Sequence, residues 1–125
     1  MVTDLMANYV DGYVFAIAKS KIAAYKRIAT KAARIWKKHG ALEYRECIGD
    51  DMNVTMLVPF PKLLALKKGE TAGYAWIVFK SRAHRDRVNH KVMTDPAMLA
   101  MCAPEAMPID CKRMVYGGFK VLVES

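Results

Sequence analysis

Arg82, His84, Arg85 and Asp86 crowd the junction Lys80-Ser81-Arg82-Ala83-His84-Arg85-Asp86, where an apolar run gives way to a helical pattern. The first amides of a helix attract anions, and a histidine changes charge near neutral pH. The junction therefore suggests an anion site, with Arg82 and Arg85 holding the ligand and His84 moving a proton. The plain alternative is a hydrogen-bonded, half-buried histidine with the arginines paired to Glu43 or Glu46.

Asp11, Glu43 and Glu46 are acids set in apolar strand patterns, and Arg45, Lys112 and Arg113 are bases in similar settings. A buried charge is costly unless paired, so such groups pair, neutralise or do chemistry. Neighbouring carboxylates can have separated pKa values, which suits acid/base work. Asp11 and Glu43 thus join His84 as candidate catalytic residues. Arg45 and Arg113 join Arg82 and Arg85 as candidate ligand-binding residues. Structural ion pairing is the simpler outcome, because residue order does not show which carboxylates meet.

Met98, Met101, Cys102 and Met107 would suit a soft metal, but methionines at helical spacing more often fill a core. The three cysteines, Cys47, Cys102 and Cys111, have no metal-type spacing and no activating dyad, and they suit a reducing compartment. No metal and no cofactor are expected.

Around these residues the chain is periodic. Tyr9 to Ile17 reads as a strand, and a helix follows with Ser20 as its cap and Gly40 at its left-handed end. Leu42 to Ile48 is a second strand and Ala72 to Lys80 a third. Ser81 caps a second helix reaching about Met93. Taking 100° per residue, Val88 and Val92 define its inner stripe, His84 and Arg85 border it, and Arg82, Asp86 and His90 form an outer ladder. Thr94-Asp95-Pro96 stops the helix and starts a short turn through Cys102, and Cys111 to Val123 is the last strand. Between the second and third strands, Gly49 to Thr71 is irregular apart from a short helix at Lys62 to Leu66. Its Met52, Met56, Leu57, Val58 and Phe60 are too apolar for a solvated linker, so it is expected to pack over the sheet or against another subunit.

The order strand, helix, strand, strand, helix, strand gives an α+β, ferredoxin-like βαββαβ fold, with a four-stranded antiparallel sheet and two helices on one face. At 125 residues with 54% hydrophobic content, the chain is expected to be one domain over residues 1–125. Apolar runs such as Tyr74 to Phe79 are too short to cross a bilayer, and Met1 to Ile17 does not resemble a cleavable leader, so a cytoplasmic location without membrane contact is expected. Both faces of the sheet are apolar: Tyr13, Phe15, Tyr74, Trp76, Val78, Met114, Tyr116 and Leu122 alternate with Val14, Ala75, Ile77, Phe79, Val115, Phe119 and Val121. A homodimer with two sheets face to face would cover the second face.

The net charge is +8, and Lys19, Lys21, Lys26, Arg27, Lys31, Arg34, Lys37 and Lys38 recur along the first helical segment. This pattern reads first as a solvated basic face. A rival function is RNA binding, because Gly73-Tyr74-Ala75-Trp76-Ile77-Val78-Phe79 follows much of the RNP1 pattern, whose sheet aromatics stack bases. Ala72 stands where that motif has a leading basic residue, and Val14-Phe15-Ala16-Ile17 is a poor second motif. A noncatalytic assembly protein is a further alternative.

Four segments carry a resemblance: Tyr9-Val10-Asp11-Gly12; Trp36 to Cys47 with Gly49-Asp50-Asp51; Lys80 to Asp86 with Asn89 and Lys91-Val92-Met93; and Asp110 to Phe119. Together they resemble the YbaA-like family of small bacterial proteins of unknown function, from about Asn8 to Val123. The resemblance implies a ferredoxin-like fold of the dimeric α+β barrel type, whose wider superfamily includes cofactor-independent monooxygenases, isomerases and haem-degrading enzymes. It implies no particular reaction. The expectation is a homodimer binding a small polar or anionic molecule in the helix–sheet cleft, with acid/base chemistry as an option.

Overall fold

The structure is a computed structural model that describes residues 7–101 and 107–125. Its elements are β1 (Tyr9–Ala18), α1 (Ile22–Lys38), β2 (Glu43–Ile48), α2 (Phe60–Leu64), β3 (Glu70–Phe79), α3 (Arg82–Met93), α4 (Pro96–Met101) and β4 (Val115–Lys120). The strands form one antiparallel sheet in the order β2-β3-β1-β4. This is the expected split βαβ topology. No helix among the described residues is long and apolar enough to cross a membrane.

Helix ends follow local chemistry. Gly40 adopts φ +114°, its amide bonds to the Lys37 carbonyl, and the Ala41 amide reaches the Trp36 carbonyl at 3.0 Å. This paired closure satisfies the Trp36 and Lys37 carbonyls in the last turn of α1. At the other end Ser20 does not cap: Lys19–Lys21 form a 3-10 turn, and no side chain bonds the first amides of α1. The expected short helix at Lys62 to Leu66 begins two residues earlier, at Phe60, where Pro61 fits the first turn. The last strand is shorter than expected, because Cys111–Arg113 make a 3-10 turn before Val115.

Register assigns the faces. Asp11 is opposite Ile77, Tyr13 opposite Ala75 and Phe15 opposite Gly73, while Tyr44 and Glu46 of β2 are opposite Ile77 and Ala75. These residues share the face on which the helices lie. Val10, Val14, Tyr74, Trp76, Val78, Glu43, Arg45, Val115 and Phe119 take the other face. Tyr13 and Phe15 therefore sit with Ala75, Ile77 and Phe79, not with Tyr74, Trp76 and Val78 as the alternating sets suggested. Alternation is defined within each strand, and only pairing aligns one strand with the next.

Two apolar clusters join helices to sheet. One includes Ile35, Trp36, Ile77, Phe79, Val88, Val92 and Met98, and the other Phe15, Ile17, Tyr25, Ala29, Ala75 and Ile109. The segment after β2 returns over the open face, where the Phe60 ring meets the edge of Tyr74 at 6.2 Å. Met56, Leu57 and Val58 of that segment remain exposed.

Gly73 illustrates how tightly the helix-facing layer fits. The Phe15 ring, 1% exposed, lies where a Cβ on Gly73 would stand. Gly73→Ala should therefore cost roughly 1–3 kcal/mol as Phe15 is forced aside, read from urea unfolding midpoints. A change near zero would show that the ring moves freely.

Candidate functional site

Asp11, the third residue of the inner strand β1, has no exposed surface. Arg85 Nη1 donates to one of its oxygens at 2.7 Å, and Asn89 Nδ2 donates to the other at 3.3 Å. The same Arg85 nitrogen donates to the Tyr116 hydroxyl at 2.8 Å, Arg85 Nε donates to Asp86, and the guanidinium sits 5.0 Å from the Tyr9 ring centre. Asn89 accepts from Trp36 Nε1 at 3.0 Å. Burial and then the Asp11 charge push the Tyr116 hydroxyl's pKa up. Asp11 and Arg85, expected on either side of a reaction, satisfy one another inside a network that spans α1, α3, β1 and β4.

His84 is engaged elsewhere. Its amide donates to Ser81 Oγ at 3.1 Å, and its Nδ1 accepts from the Lys80 amide at 2.9 Å. The ring thus takes the reciprocal role of a capping box, bonding one residue before the cap. An accepting Nδ1 requires the neutral ring with its proton on Nε2. Desolvation, then Lys80, Arg87 and Lys91, lower its pKa accordingly.

The other candidates are dispersed. Glu43 accepts from Trp76 Nε1 at 2.8 Å and from Arg45 at 3.2 Å on the open sheet face, and these bonds lower its pKa. Arg113 forms a two-pronged pair with Glu70 at 2.8 and 3.0 Å, holding that carboxyl at about 2. Arg82 is exposed at the start of α3, and Asp86 pairs with Arg85 rather than with Arg82 or His90. None of His84, Asp11, Glu43, Arg82, Arg85, Arg45 or Arg113 lines the apolar cavity beneath α1.

That cavity, about 260 Å³, lies between α1 and the sheet where the two apolar clusters meet. Its walls include Tyr13, Phe15, Tyr25, Ala32, Trp36, Tyr44 and Ile77, with five methionines, Met93, Met98, Met101, Met107 and Met114. Met98, Met101 and Met107 are thus brought together as a thioether wall, while Cys102 lies outside the described residues. Among the described residues no group of His, Cys, Asp and Glu is placed to hold a metal ion, and Cys47 and Cys111 are free and exposed.

One carboxylate reaches this wall. Glu46 accepts from the Tyr25 hydroxyl at 2.8 Å and from the Tyr44 hydroxyl at 2.7 Å, one on each oxygen. Burial raises its pKa, and the two hydroxyl bonds offset only part of that rise. Tyr25, Tyr44 and Tyr13 have hydroxyls pushed up in turn, first by burial; for Tyr25 and Tyr44 the neighbouring Glu46 charge comes next, and for Tyr13 that of Asp11. Glu46 is one of the strand acids but not one of the candidate site residues named from the sequence. The signal was present: Tyr44 and Glu46 share a strand face by period two, and Tyr25 lies on the inner stripe of α1 with Ala29, Ala32 and Trp36.

At the far end of α1, Asp95 Oδ2 accepts from His39 Nε2 at 2.7 Å and from Lys38 at 3.3 Å, and Oδ1 accepts from the Ala97 amide. These bonds, the histidine's first, hold the Asp95 carboxyl at about 2. They also tie α4, which carries Met98 and Met101, to the end of α1.

Three outcomes follow from this geometry. Asp11→Ala should cost about 3–5 kcal/mol by stranding Arg85, measured by chemical unfolding. The folded protein holds the Glu46 proton more tightly than the unfolded chain, so this contribution is full below the unfolded carboxyl range and is lost as pH rises through the raised value. Glu46→Gln should therefore gain stability over the parent as pH rises, seen in paired melting curves. His84 works oppositely: its lowered pKa gives stability that is present above the ordinary histidine range and is lost as pH falls. His84→Ala should cost about 1 kcal/mol at pH 8, with the gap to the parent closing toward pH 5.

Residues 8–111 match the family described as "Protein of unknown function (DUF1428)". The chain is 38% identical over 117 residues to the uncharacterized protein YbaA of Escherichia coli (strain K12), covering 94% of this chain and 98% of that protein. The same identity and coverage hold for YbaA of Shigella flexneri. Among solved structures, SnoaB, a cofactor-independent oxygenase from Streptomyces nogalater, is similar with a TM-score of 0.59 at 11% identity, covering 94% of this chain and 96% of that one. That likeness is one of fold and agrees with the ferredoxin-like α+β arrangement of one sheet and its helices. The chain belongs to the DUF1428 family, to which the four sequence segments had pointed through their YbaA-like pattern.

Proposed function

We propose that the cavity between α1 and the sheet binds a small, largely apolar molecule bearing one acidic hydroxyl, and that Glu46 accepts its proton. The observation that carries this reading is a carboxylate with a raised pKa, held by two tyrosine hydroxyls on the wall of an otherwise apolar cavity. A base poised in this way is a recurring catalytic arrangement. The proton passes to a carboxylate oxygen, the O–H bond pair stays on the ligand oxygen, and Glu46 becomes a neutral acid. No protein partner is recorded for the Tyr13 hydroxyl among the described residues, and it lines the same cavity, so it is available to bond the ligand anion. The arginines are engaged or remote, which favours a neutral ligand within the polar or anionic class expected from the sequence. The volume suits roughly one or two rings, at the low end for ligand pockets.

4-Nitrophenol is a suitable probe, since its phenolate absorbs differently from the phenol. Saturable quenching of Trp36 with a bound phenolate spectrum is expected for the parent. Glu46→Gln should keep the quenching and lose the phenolate, while Ala32→Trp, which fills the cavity, should lose both. A phenolate signal surviving Glu46→Gln would overturn the role of Glu46, and quenching surviving Ala32→Trp would overturn the site.

A second copy of the chain is proposed to cover the open sheet face, because Tyr74, Val115 and Phe119 are all about half or more exposed there. Patches of this kind mark interaction sites. Phe119→Glu should convert a dimer to a monomer in light scattering. A monomeric parent that retains RNA through Tyr74 and Trp76 would instead favour base stacking on that face.

A further inference from the structure

The eight basic residues from Lys19 to Lys38 are accompanied by no Asp or Glu between Asp11 and Glu43. Outside this segment, the remaining twelve Lys and Arg are matched by the twelve Asp and Glu of the whole chain. The net charge of +8 therefore belongs to α1 and the turn before it.

The structure puts those charges on a single surface. From Lys26 to Lys38, every exposed position of α1 is Lys26, Arg27, Thr30, Lys31, Arg34, Lys37 or Lys38. Lys38 pairs with Asp95 and Lys37 donates to the Leu42 carbonyl. Among the described residues no ion pair involves Lys26, Arg27, Lys31 or Arg34, and these four border one shallow depression. Arg27 and Lys31 are one turn apart, as are Lys31 and Arg34, so the helix carries like charges where opposite ones would stabilise it. A face serving solubility alone has no need of that arrangement and ordinarily mixes signs.

The chemistry of the face selects the partner. A helix that inserts into a lipid surface needs a free apolar side, and that side of α1, with Tyr25, Ala29, Ala32, Ile35 and Trp36, is buried in the core. What remains is a row of point charges with a rise of about 6 Å between positions four apart. Such a row, with no exposed aromatic on it, suits a chain of phosphates rather than bases. We infer that the outer face of α1 binds the phosphodiester backbone of a nucleic acid without regard to sequence. This surface is independent of the Glu46 cavity. It also lies on the layer opposite Tyr74 and Trp76, so a copy covering the sheet leaves it open.

The test uses a labelled oligouridylate and a short labelled DNA duplex, titrated by fluorescence anisotropy at KCl between about 50 and 200 mM. The parent is compared with Lys26→Gln/Arg27→Gln/Lys31→Gln/Arg34→Gln, with a control of equal charge, Lys62→Gln/Lys68→Gln/Arg87→Gln/Lys91→Gln, and with Tyr74→Ala. Melting curves confirm that each is folded. The expected result is binding of either nucleic acid that weakens steeply with salt. The α1 variant should lose at least about tenfold in affinity and about three from the log–log salt slope, while the control and Tyr74→Ala bind like the parent. A preference between the two probes identifies which nucleic acid is bound and supports the surface in either case. Equal losses in the α1 variant and the control, dependence on Tyr74, or binding to phosphatidylserine vesicles but to neither probe would each overturn the inference.

Discussion

The burial of Asp11 is the constraint around which the molecule is organised. A carboxylate with no exposed surface at the centre of a sheet survives only if the groups around it are held in place, and here they come from three other elements. Arg85 and Asn89 fix the rotation of α3 about its own axis, the Trp36 bond to Asn89 couples α1 to the same point, and Tyr116 brings in the edge strand β4. Polar networks of this kind specify one arrangement because a half-satisfied version is worse than none. Trp36 and His39 both stand at the C-terminal end of α1, so this network and the Asp95 bonds together fix that end, while Tyr25 ties the helix to Glu46 nearer its start. The cavity beside Glu46 lies beneath the stretch of α1 from Tyr25 to Trp36. The surrounding methionines are the side chains best able to line an irregular gap.

Much of the fold was legible because it depends on local rules. The left-handed Gly40, the Ser81 cap and the order of strands and helices rest on steric limits, amide bonding and the periods of helix and strand. What the chain could not show was which groups meet. Helical phase correctly put His84 and Arg85 beside the inner stripe of α3, but phase does not reveal that Lys80 and Asp11 are waiting there to occupy them. The grouping of Tyr13 with Tyr74 failed for a related reason, since strand register is set by the pairing of β1 with β3 and not by either strand alone. The Glu46 site was overlooked although its parts had the right phase. The closure of Tyr25 and Tyr44 on one carboxylate is a property of the α1–β2 contact, which neither segment shows alone.

The same architecture separates three environments. The open sheet face is apolar and aromatic, the layer between sheet and α1 is apolar around one carboxylate, and the outer face of α1 is cationic. A single helix divides the last two, offering tyrosine and small apolar residues inward and lysine and arginine outward. Alanine at positions 29 and 32 does two jobs in this layout: it sustains a helix that lacks a side-chain cap, and it leaves room that a larger residue would fill.

The ring of His84 closes the first turn of α3 through a nitrogen that must remain unprotonated. Its position therefore admits few replacements: a side chain there must reach back to an amide without carrying positive charge. Across relatives, constancy of this histidine would be a record of selection on folding, although it stands in the most chemically suggestive stretch of the chain. Selection on the cavity would leave a different trace, a joint change or joint retention at positions 25, 44 and 46, where altering one partner strips the other two of their purpose.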